Sequence, residues 1–304
     1  MRKQSIVPFA VIVGPSSSEA QPPRSQVLTK IAYLGPAGTF TEEAVVSESP
    51  DADRLPCQTI RGVAEAVESG KADMGIVPIE NSNEGSVPDT LDLLIHQSPL
   101  RICKELVLPI NQFLMARPGT TLGDIQVVYS HPNALGQCRG YIEKRLAKAQ
   151  VIATLSTSAA VLAMKEHPGP AAAIGPKRAA DLYGVEILAE KVQDNEGNAT
   201  RFVVLAQGDH APTGKDKTSI AFSFAEDKPG QLYAVLGDFA SRSINLSKLE
   251  SRPAKAGLGK YIFLVDLDGH RTDPRVVQAL DSVQKRASML KVFGSYPRYT
   301  EPGR

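Results

Sequence analysis

Between Lys30 and Gln207 the sequence alternates short apolar runs with stretches of helical periodicity. This alternation is typical of an α/β domain, in which strands build a sheet and the connecting helices cover it. Strand after strand in this region ends in hydroxyl or amide side chains where the next helix begins. We therefore predict a two-lobed α/β unit over residues 29–207, with lobes at about 29–110 together with 190–207 and at 111–189. Its strand ends should line a cleft between the lobes.

Two polar clusters stand at the edges of predicted strands. Asn198–Phe202 leads directly into the apolar run Val203–Ala206, so a rigid strand can aim its side chains at a ligand. Glu80–Ser86 follows the apolar strand Ala72–Ile79 and contains no hydrophobe, at the position where open α/β sheets bind ligands. The alternatives are a loop-to-strand boundary with Arg201 reaching solvent, and a solvated turn.

Hydroxyl side chains also stand at the start of three predicted helices. Thr39 follows a glycine-containing turn, Ser130 precedes a helix that begins at Pro132, and Ser156–Ser158 precedes another. At the first of these helix starts, which contains Thr39, free backbone N–H groups and the positive end of the helix dipole attract anions. The Gly-Lys-Ser/Thr ending of a nucleotide-binding loop is absent, which favours a carboxylate as the ligand. Helix capping is the alternative role for Thr39 and Ser130.

Composition argues against several classes of function. The 34 basic and 33 acidic residues leave a net charge of +1 without a dense Lys/Arg run, unlike a nucleic-acid binder. The three cysteines are widely spaced, which favours a reducing, cytoplasmic compartment over a disulfide framework. Five histidines without HxxxH or HxH spacing predict no metal site. No apolar run reaches membrane-spanning length, and Ser130–His131 lacks the GxSxG elbow of a hydrolase.

Two segments are predicted to lie outside the folded domains. Residues 1–28 are expected to be a disordered extension: Arg2 and Lys3 followed by Ile6–Val13 loosely imitate a signal peptide, but Pro8 interrupts the apolar run. Residues 208–217 are rich in glycine, proline and charge, as expected for a linker.

The C-terminal part, residues 218–297, has a different rhythm that predicts the order βαββαβ. This order is typical of a ferredoxin-like layer of one sheet and two helices. The predicted elements are a strand at Thr218–Phe224, a helix from Pro229 to Arg242, strands at Ile244–Ser251 and Lys260–Leu267 joined by the turn Gly257–Gly259, a helix at Asp273–Ser288 and a strand at Val292–Tyr296.

Four ordered motifs resemble successive signatures of the prephenate dehydratase family: Gly35–Phe40, Val77–Ser82, Ser130–Cys138 and Thr200–Phe202. Glu250–Pro253 resembles the effector motif of the family's regulatory ACT domain. The resemblance covers about residues 29–297. There are two departures: Asn133 stands where the family usually has Gln, and Gln231 and Tyr233 interrupt the Gly-Ala-Leu-Val pattern that opens the ACT helix.

The resemblance implies a two-lobed catalytic domain like that of periplasmic binding proteins, followed by an ACT domain. It implies the conversion of prephenate to phenylpyruvate, with loss of carbon dioxide and the ring hydroxyl and without a metal or redox cofactor. Hydroxide leaves poorly, so a donor must face the departing oxygen. Thr200 is implied as that donor, with Arg201 orienting anionic groups and Phe202 forming a wall; Glu80 is the alternative proton source if burial raises its pKa.

The resemblance also implies two sets of binding residues. Neutral donors to the substrate are expected at Thr39, Asn81, Ser82, Ser130, Gln137, Ser156 and Thr157. Phenylalanine, the implied allosteric effector, is expected between paired ACT domains of a homodimer or homotetramer, near Pro229, Gly230, Leu232, Asn245, Glu250, Ser251, Arg252 and Pro253. Two alternatives stay open: arogenate dehydratase, and a two-lobed amino-acid or solute-binding protein without catalysis.

Overall fold

The computed structural model describes residues 28–255 and 259–300 of the 304-residue chain. Residues 1–27 of the predicted extension, residues 257 and 258 of the predicted turn, and residues 256 and 301–304 lie outside the described residues. Three β-sheets covered by helices make up the described part of the chain. None of its helices has the length and apolar character needed to cross a membrane.

Two lobes form the N-terminal domain. The first contains β1 (Lys30–Leu34), α1 (Phe40–Glu48), β2 (Asp53–Cys57), α2 (Ile60–Glu68), β3 (Met74–Asn81), β4 (Gly85–Ser86), α3 (Pro88–Asp92) and β5 (Arg101–Pro109). The second contains β6 (Phe113–Ala116), β7 (Val127–Ser130), α4 (Pro132–Gln137), α5 (Arg139–Arg145), β8 (Gln150–Ala153), α6 (Thr157–Glu166), β9 (Ala171–Gly175), α7 (Lys177–Tyr183) and β10 (Glu186–Ala189). The chain then returns to the first lobe as β11 (Ala199–Ala206).

The sheet of the first lobe has the strand order β2-β1-β3-β11-β5, and the short β4 pairs with β3. β11 lies antiparallel between β3 and β5, so hydrogen bonds hold it along both edges. Helix α2 illustrates how the sequence covers this sheet. Thr59 caps its start by accepting a hydrogen bond from the Gly62 N–H (2.9 Å), and its buried positions recur at helical spacing from Ile60 to Val67.

Helix α3 is followed by a π-helical turn at Leu93–Gln97. The wider turn places three consecutive side chains in the core, Leu93, Leu94 and Ile95, all at most 7% exposed. A regular α-helix would carry at least one of three successive side chains away from the core.

The second lobe has the strand order β10-β6-β9-β7-β8, with β7, β8 and β9 parallel. Two chain segments cross between the lobes and are hydrogen-bonded to each other. The Ile110 N–H donates to the Asn198 carbonyl (2.8 Å), and the Val192 N–H donates to the Gln112 carbonyl (2.9 Å). These observations confirm the predicted two-lobed α/β architecture.

The C-terminal domain has the predicted βαββαβ order. Its elements are β12 (Asp216–Ser223), α8 (Gln231–Ala240), β13 (Leu246–Pro253), β14 (Tyr261–Asp268), α9 (Pro274–Arg286) and β15 (Met289–Pro297), and its strand order is β13-β14-β12-β15. Both helices pack on one face of this sheet around Phe222, Val235, Phe239 and Val283.

The other face of the C-terminal sheet packs against the first lobe. Ile262, Leu264 and Phe293 share one apolar cluster with Leu93 and Ile102 of the N-terminal domain. β15 and β5 approach so closely that a Cβ atom on Gly294 would overlap the backbone carbonyl of Ile102. The two domains therefore share a core within one chain.

Gly294→Ala should lower stability because the added methyl group would overlap backbone atoms of Ile102, which cannot move aside as a flexible side chain can. We expect a loss of about 2 kcal/mol or more, as for overpacking of a tight core. Gly237→Ala is the matched control, since a Cβ at this helical position meets open space. Thermal unfolding should show a lower midpoint for the first variant and an unchanged or higher midpoint for the second; equal midpoints would contradict the close packing.

Candidate active site

A cleft of about 560 Å³ lies between the two lobes. This volume is within the range of small-molecule sites. The first lobe contributes strand ends and the start of α1, and the second lobe contributes the starts of α4 and α6. The lining residues used below are Thr39, Phe40, Pro78, Asn81, Glu84, Ser86, Gln112, His131, Asn133, Gln137, Leu155, Ser156, Thr157, Thr200 and Phe202.

Among the described residues that line the cleft there is no lysine or arginine, and Glu84 is the single carboxylate. Anion binding must therefore rely on helix starts and neutral donors. Thr39 caps α1 by accepting from the Glu42 N–H (3.4 Å), and Ser156 caps α6 by accepting from the Ala159 N–H (3.0 Å). Both helix starts present positive dipole ends to the cleft.

Thr200 lies on β11 with 9% of its surface exposed, and its side chain lines the cleft. The Asn81 amide nitrogen donates to Thr200 Oγ1 (2.9 Å), while Asn81 Oδ1 accepts from the Asn83 N–H (2.9 Å). Because the Thr200 hydroxyl oxygen accepts this hydrogen bond, its own proton can be donated to another group. The structure thus brings Thr200 and Asn81 together, and Phe202 lines the same cleft.

Arg201 and Glu80 do not line the cleft, contrary to the role in the site that the sequence analysis gave them. Side chains alternate along a strand, so Arg201 points to the opposite face from Thr200. β11 and β3 pair Arg201 with Glu80 and Thr200 with Asn81, which keeps the two pairs on separate faces. Arg201 Nη2 lies 2.9 Å from Glu80 Oε2, and its Nη1 lies 2.7 Å from Asp266 of the C-terminal domain.

Ser130 and Ser82 are also absent from the cleft lining. β7 extends through Ser130 and buries it, so its hydroxyl donates to the Ile174 carbonyl (2.6 Å). Helix α4 is capped one residue later, by His131 Nδ1, which accepts from the Asn133 N–H (3.3 Å). Ser82 is exposed, and its Oγ accepts from the Ala199 N–H (3.0 Å), which ties the end of β3 to the start of β11.

The other predicted donors, Thr39, Gln137, Ser156 and Thr157, all line the cleft. Sequence reasoning missed Gln112 and His131. Gln112 is 2% exposed and donates through its amide to Gln137 Oε1 (3.1 Å), while its own Oε1 has no hydrogen-bond partner in the described part of the chain. Burial lowers the pKa of His131, which favours the neutral ring; with Nδ1 accepting, Nε2 carries the proton.

Known proteins resemble the chain over both domains. Family models match prephenate dehydratase over residues 31–210 and the ACT domain over residues 218–284. The bifunctional chorismate mutase/prephenate dehydratase of Aquifex aeolicus is 44% identical over 271 residues, 88% of this chain and 74% of the relative. The chain belongs to the prephenate dehydratase family.

Two solved structures share the fold along most of the chain. The prephenate dehydratase of Arthrobacter aurescens in complex with L-Phe superposes with a TM-score of 0.82 at 39% identity, covering 89% of this chain and 90% of that one. GqqA, described as a novel type of quorum-quenching acylase, superposes with a TM-score of 0.80 at 30% identity, covering 88% of this chain and 98% of that one. The match to the ACT family model identifies the C-terminal unit of this chain as an ACT domain.

A buried ion pair joins the two lobes of the dehydratase domain beside the cleft. Glu42 on α1 is 3% exposed and accepts from the Gly38 N–H (2.6 Å). Arg178 of α7 donates to both carboxylate oxygens (3.2 and 3.3 Å), and Arg54 lies 3.5 Å away. Burial opposes ionisation of Glu42, but the bonds from Arg178 and Gly38 outweigh it and lower the pKa of the carboxyl group.

Glu42→Gln should therefore weaken the protein in a pH-dependent way. At neutral pH we expect a loss of about 1.5–3 kcal/mol, the range for hydrogen bonds to charged groups. A lowered folded-state pKa means that the stabilisation is present above the ordinary value of 4.5 and is lost as the pH falls through the folded-state value. Urea unfolding should show the gap to wild type narrowing below about pH 4.5; a constant gap would contradict this account.

The candidate effector residues of the ACT domain divide into three groups. Glu250 and Arg252 face the dehydratase domain: Glu250 accepts from Ser86 Oγ (2.5 Å), and Arg252 pairs with Asp92 (2.6 Å). Leu232 packs against the ACT core. The others are exposed: Pro229, Gly230, Asn245, Ser251 and Pro253.

Proposed function

We propose that this chain converts prephenate to phenylpyruvate by decarboxylative dehydration, using Thr200 as the donor to the leaving hydroxide. In this reaction the ring carboxylate departs as carbon dioxide and its bonding electrons move through the ring. These electrons expel the hydroxyl group on the opposite carbon, which takes up a proton and leaves as water. The observation that carries the proposal is the Thr200 hydroxyl, oriented by Asn81 inside the interlobe cleft.

The electrostatics of the cleft suit a decarboxylation. A cation beside the departing carboxylate would stabilise the ionised substrate more than the transition state, in which that charge disperses into the ring. The lining described above offers helix starts, amides and hydroxyls in place of lysine or arginine. We assign the side-chain carboxylate of the substrate to the starts of α1 and α6, and the ring to the face of Phe202.

Three neutral groups complete the assignment of substrate contacts. The amide of Gln137 and the Nε2–H of His131 supply donors, while Gln112 Oε1 is a buried acceptor for a hydroxyl proton. Thr39 at the start of α1, and Ser156 and Thr157 at the start of α6, are assigned as contacts of the substrate's side-chain carboxylate. Ser82, Ser130, Glu80 and Arg201 receive no substrate contact in this proposal, because their side chains lie elsewhere.

Thr200→Ala should lower kcat by about 10²–10³-fold with little change in KM, because a donor that acts in the transition state is lost. Thr200→Ser keeps the hydroxyl and is the matched control, with kcat expected within about tenfold of wild type. The measurement is steady-state kinetics on prephenate, followed by the absorbance of phenylpyruvate in base. A near-normal kcat for the alanine variant would remove Thr200 from this role.

Arogenate dehydration is a second candidate, and Glu84 is the observation in its favour. Arogenate carries an ammonium group where prephenate has a keto group, and Glu84 places a carboxylate in the cleft lining. If arogenate is the substrate, Glu84→Gln should lower kcat/KM for arogenate by about tenfold or more and leave prephenate unaffected. Side-by-side kinetics on both compounds decide between them, and a solute-binding protein would turn over neither.

Acyl transfer, suggested by the description of GqqA, finds less support in the cleft. A nucleophilic hydroxyl needs a base within hydrogen-bond reach. Over the ranges 28–255 and 259–300, no hydroxyl that lines the cleft is hydrogen-bonded to a histidine; Tyr129 and His167 form such a pair outside it.

We further infer regulation by phenylalanine through the ACT domain of a homo-oligomer in the cytoplasm. The L-Phe complex of the Arthrobacter relative supports the effector. The three dispersed, unpaired cysteines of this chain support a reducing compartment.

A further inference from the structure

Arg201 joins three strands from two domains with a single guanidinium group. It stands on β11 next to Thr200, and its side chain is 12% exposed. Its carboxylate partners are Glu80 on β3 (2.9 Å), Glu105 on β5 (3.3 Å) and Asp266 on β14 of the ACT domain (2.7 Å). Glu105 is further paired with Lys217 of the ACT domain (2.8 Å). A residue of the catalytic strand is thus anchored in the regulatory sheet.

A second set of contacts reaches the cleft wall from β13. Lys248 lies 3.2 Å from Glu80 and donates to Ser86 Oγ (2.6 Å), while Ser86 donates to Glu250 (2.5 Å). Ser86 also lines the cleft. β13 therefore touches both β3 and β4, the elements that carry Asn81 and Ser86.

We propose that Arg201 is a positioning residue which, together with the Lys248 contacts, couples the ACT domain to Thr200 and transmits the effector signal within one chain. This inference rests on the proposed function. Its physical basis is that Arg201 binds both neighbours of β11 and the regulatory sheet at once. A displacement of one sheet against the other must break at least one of these bonds or carry β11 with it.

Such a junction favours two discrete arrangements over a continuous range. Buried charges are costly without partners, so intermediate positions with a broken pair are poorly populated. An effector that binds one arrangement of the ACT domain more tightly then shifts the equilibrium between the two arrangements, and with it the position of Thr200. The size of the shift is set by the difference between its affinities for the two arrangements.

The test compares wild type with Asp266→Asn, which removes one charge on the regulatory side and leaves the cleft lining intact. Coupling between two sites usually corresponds to about a 5–150-fold change in affinity. For wild type we expect kcat/KM to fall by a factor in this range, about 5–150, at saturating phenylalanine. For Asp266→Asn we expect kcat/KM to fall by less than about twofold at saturating phenylalanine. Calorimetry should still show that phenylalanine binds to this variant. Its activity without phenylalanine should stay within about threefold of wild type.

Lys291→Met is the matched control, because Lys291 belongs to the same interface but donates to the Ile95 and Ser98 carbonyls (3.2 and 3.0 Å), away from β3 and β11. It should keep the full response to phenylalanine. Lys248→Gln, which removes the second set of contacts, should weaken the response as Asp266→Asn does and carries the test if that variant does not fold.

The outcomes separate this inference from the proposed function. If phenylalanine inhibits Asp266→Asn and Lys248→Gln as fully as wild type, the coupling role of Arg201 is overturned. The same follows if Lys291→Met loses inhibition to the same extent as those two variants. Neither result affects the proposed dehydratase activity. A wild type that phenylalanine neither binds nor inhibits overturns the regulatory part of the proposed function and this inference with it. A wild type without activity on prephenate or arogenate overturns the proposed function itself.

Discussion

The alternation of side chains along β11 determines how the rest of the molecule is arranged. β11 is hydrogen-bonded to β3 on one edge and β5 on the other, so its two faces cannot exchange. One face presents Thr200 and Phe202 to the cleft, and the other presents Arg201 to the ACT domain. Adjacent residues of one motif consequently belong to two different sites.

The cleft and the interdomain interface differ in their electrostatics for the same reason. Charge is concentrated on the interface side, where the cations Arg201, Lys217 and Lys248 meet carboxylates at short distance. The described cleft lining is left with hydroxyls, amides, helix starts and one carboxylate. This separation keeps the site free of strong cations while the sheet beneath it stays firmly attached to the regulatory domain.

Much of this arrangement could be predicted from local sequence. Apolar periodicity located the strands and helices, and helix-start hydroxyls such as Thr39 and Ser156 pointed to the cleft. Local sequence could not reveal that β7 continues through Ser130, which moves the cap to His131. It also treated Thr200 and Arg201 as one cluster. The partners of Arg201, Glu105 and Asp266, are remote in sequence, so only tertiary packing identifies them. Gln112 carries a weak signal, because it is a polar residue directly before β6. Its place in the cleft depends on the two chain segments that cross between the lobes, which local sequence does not show.

A crystal structure of the protein with phenylpyruvate bound would test the central claim most directly. The account predicts the product carboxylate at the starts of α1 and α6, the ring against Phe202, and Thr200 Oγ1 facing the ring carbon that lost its hydroxyl group. Arg201 should keep its contact with Asp266 and make none with the ligand. A product carboxylate bound by Arg201, with Thr200 turned away from the ring, would contradict the account.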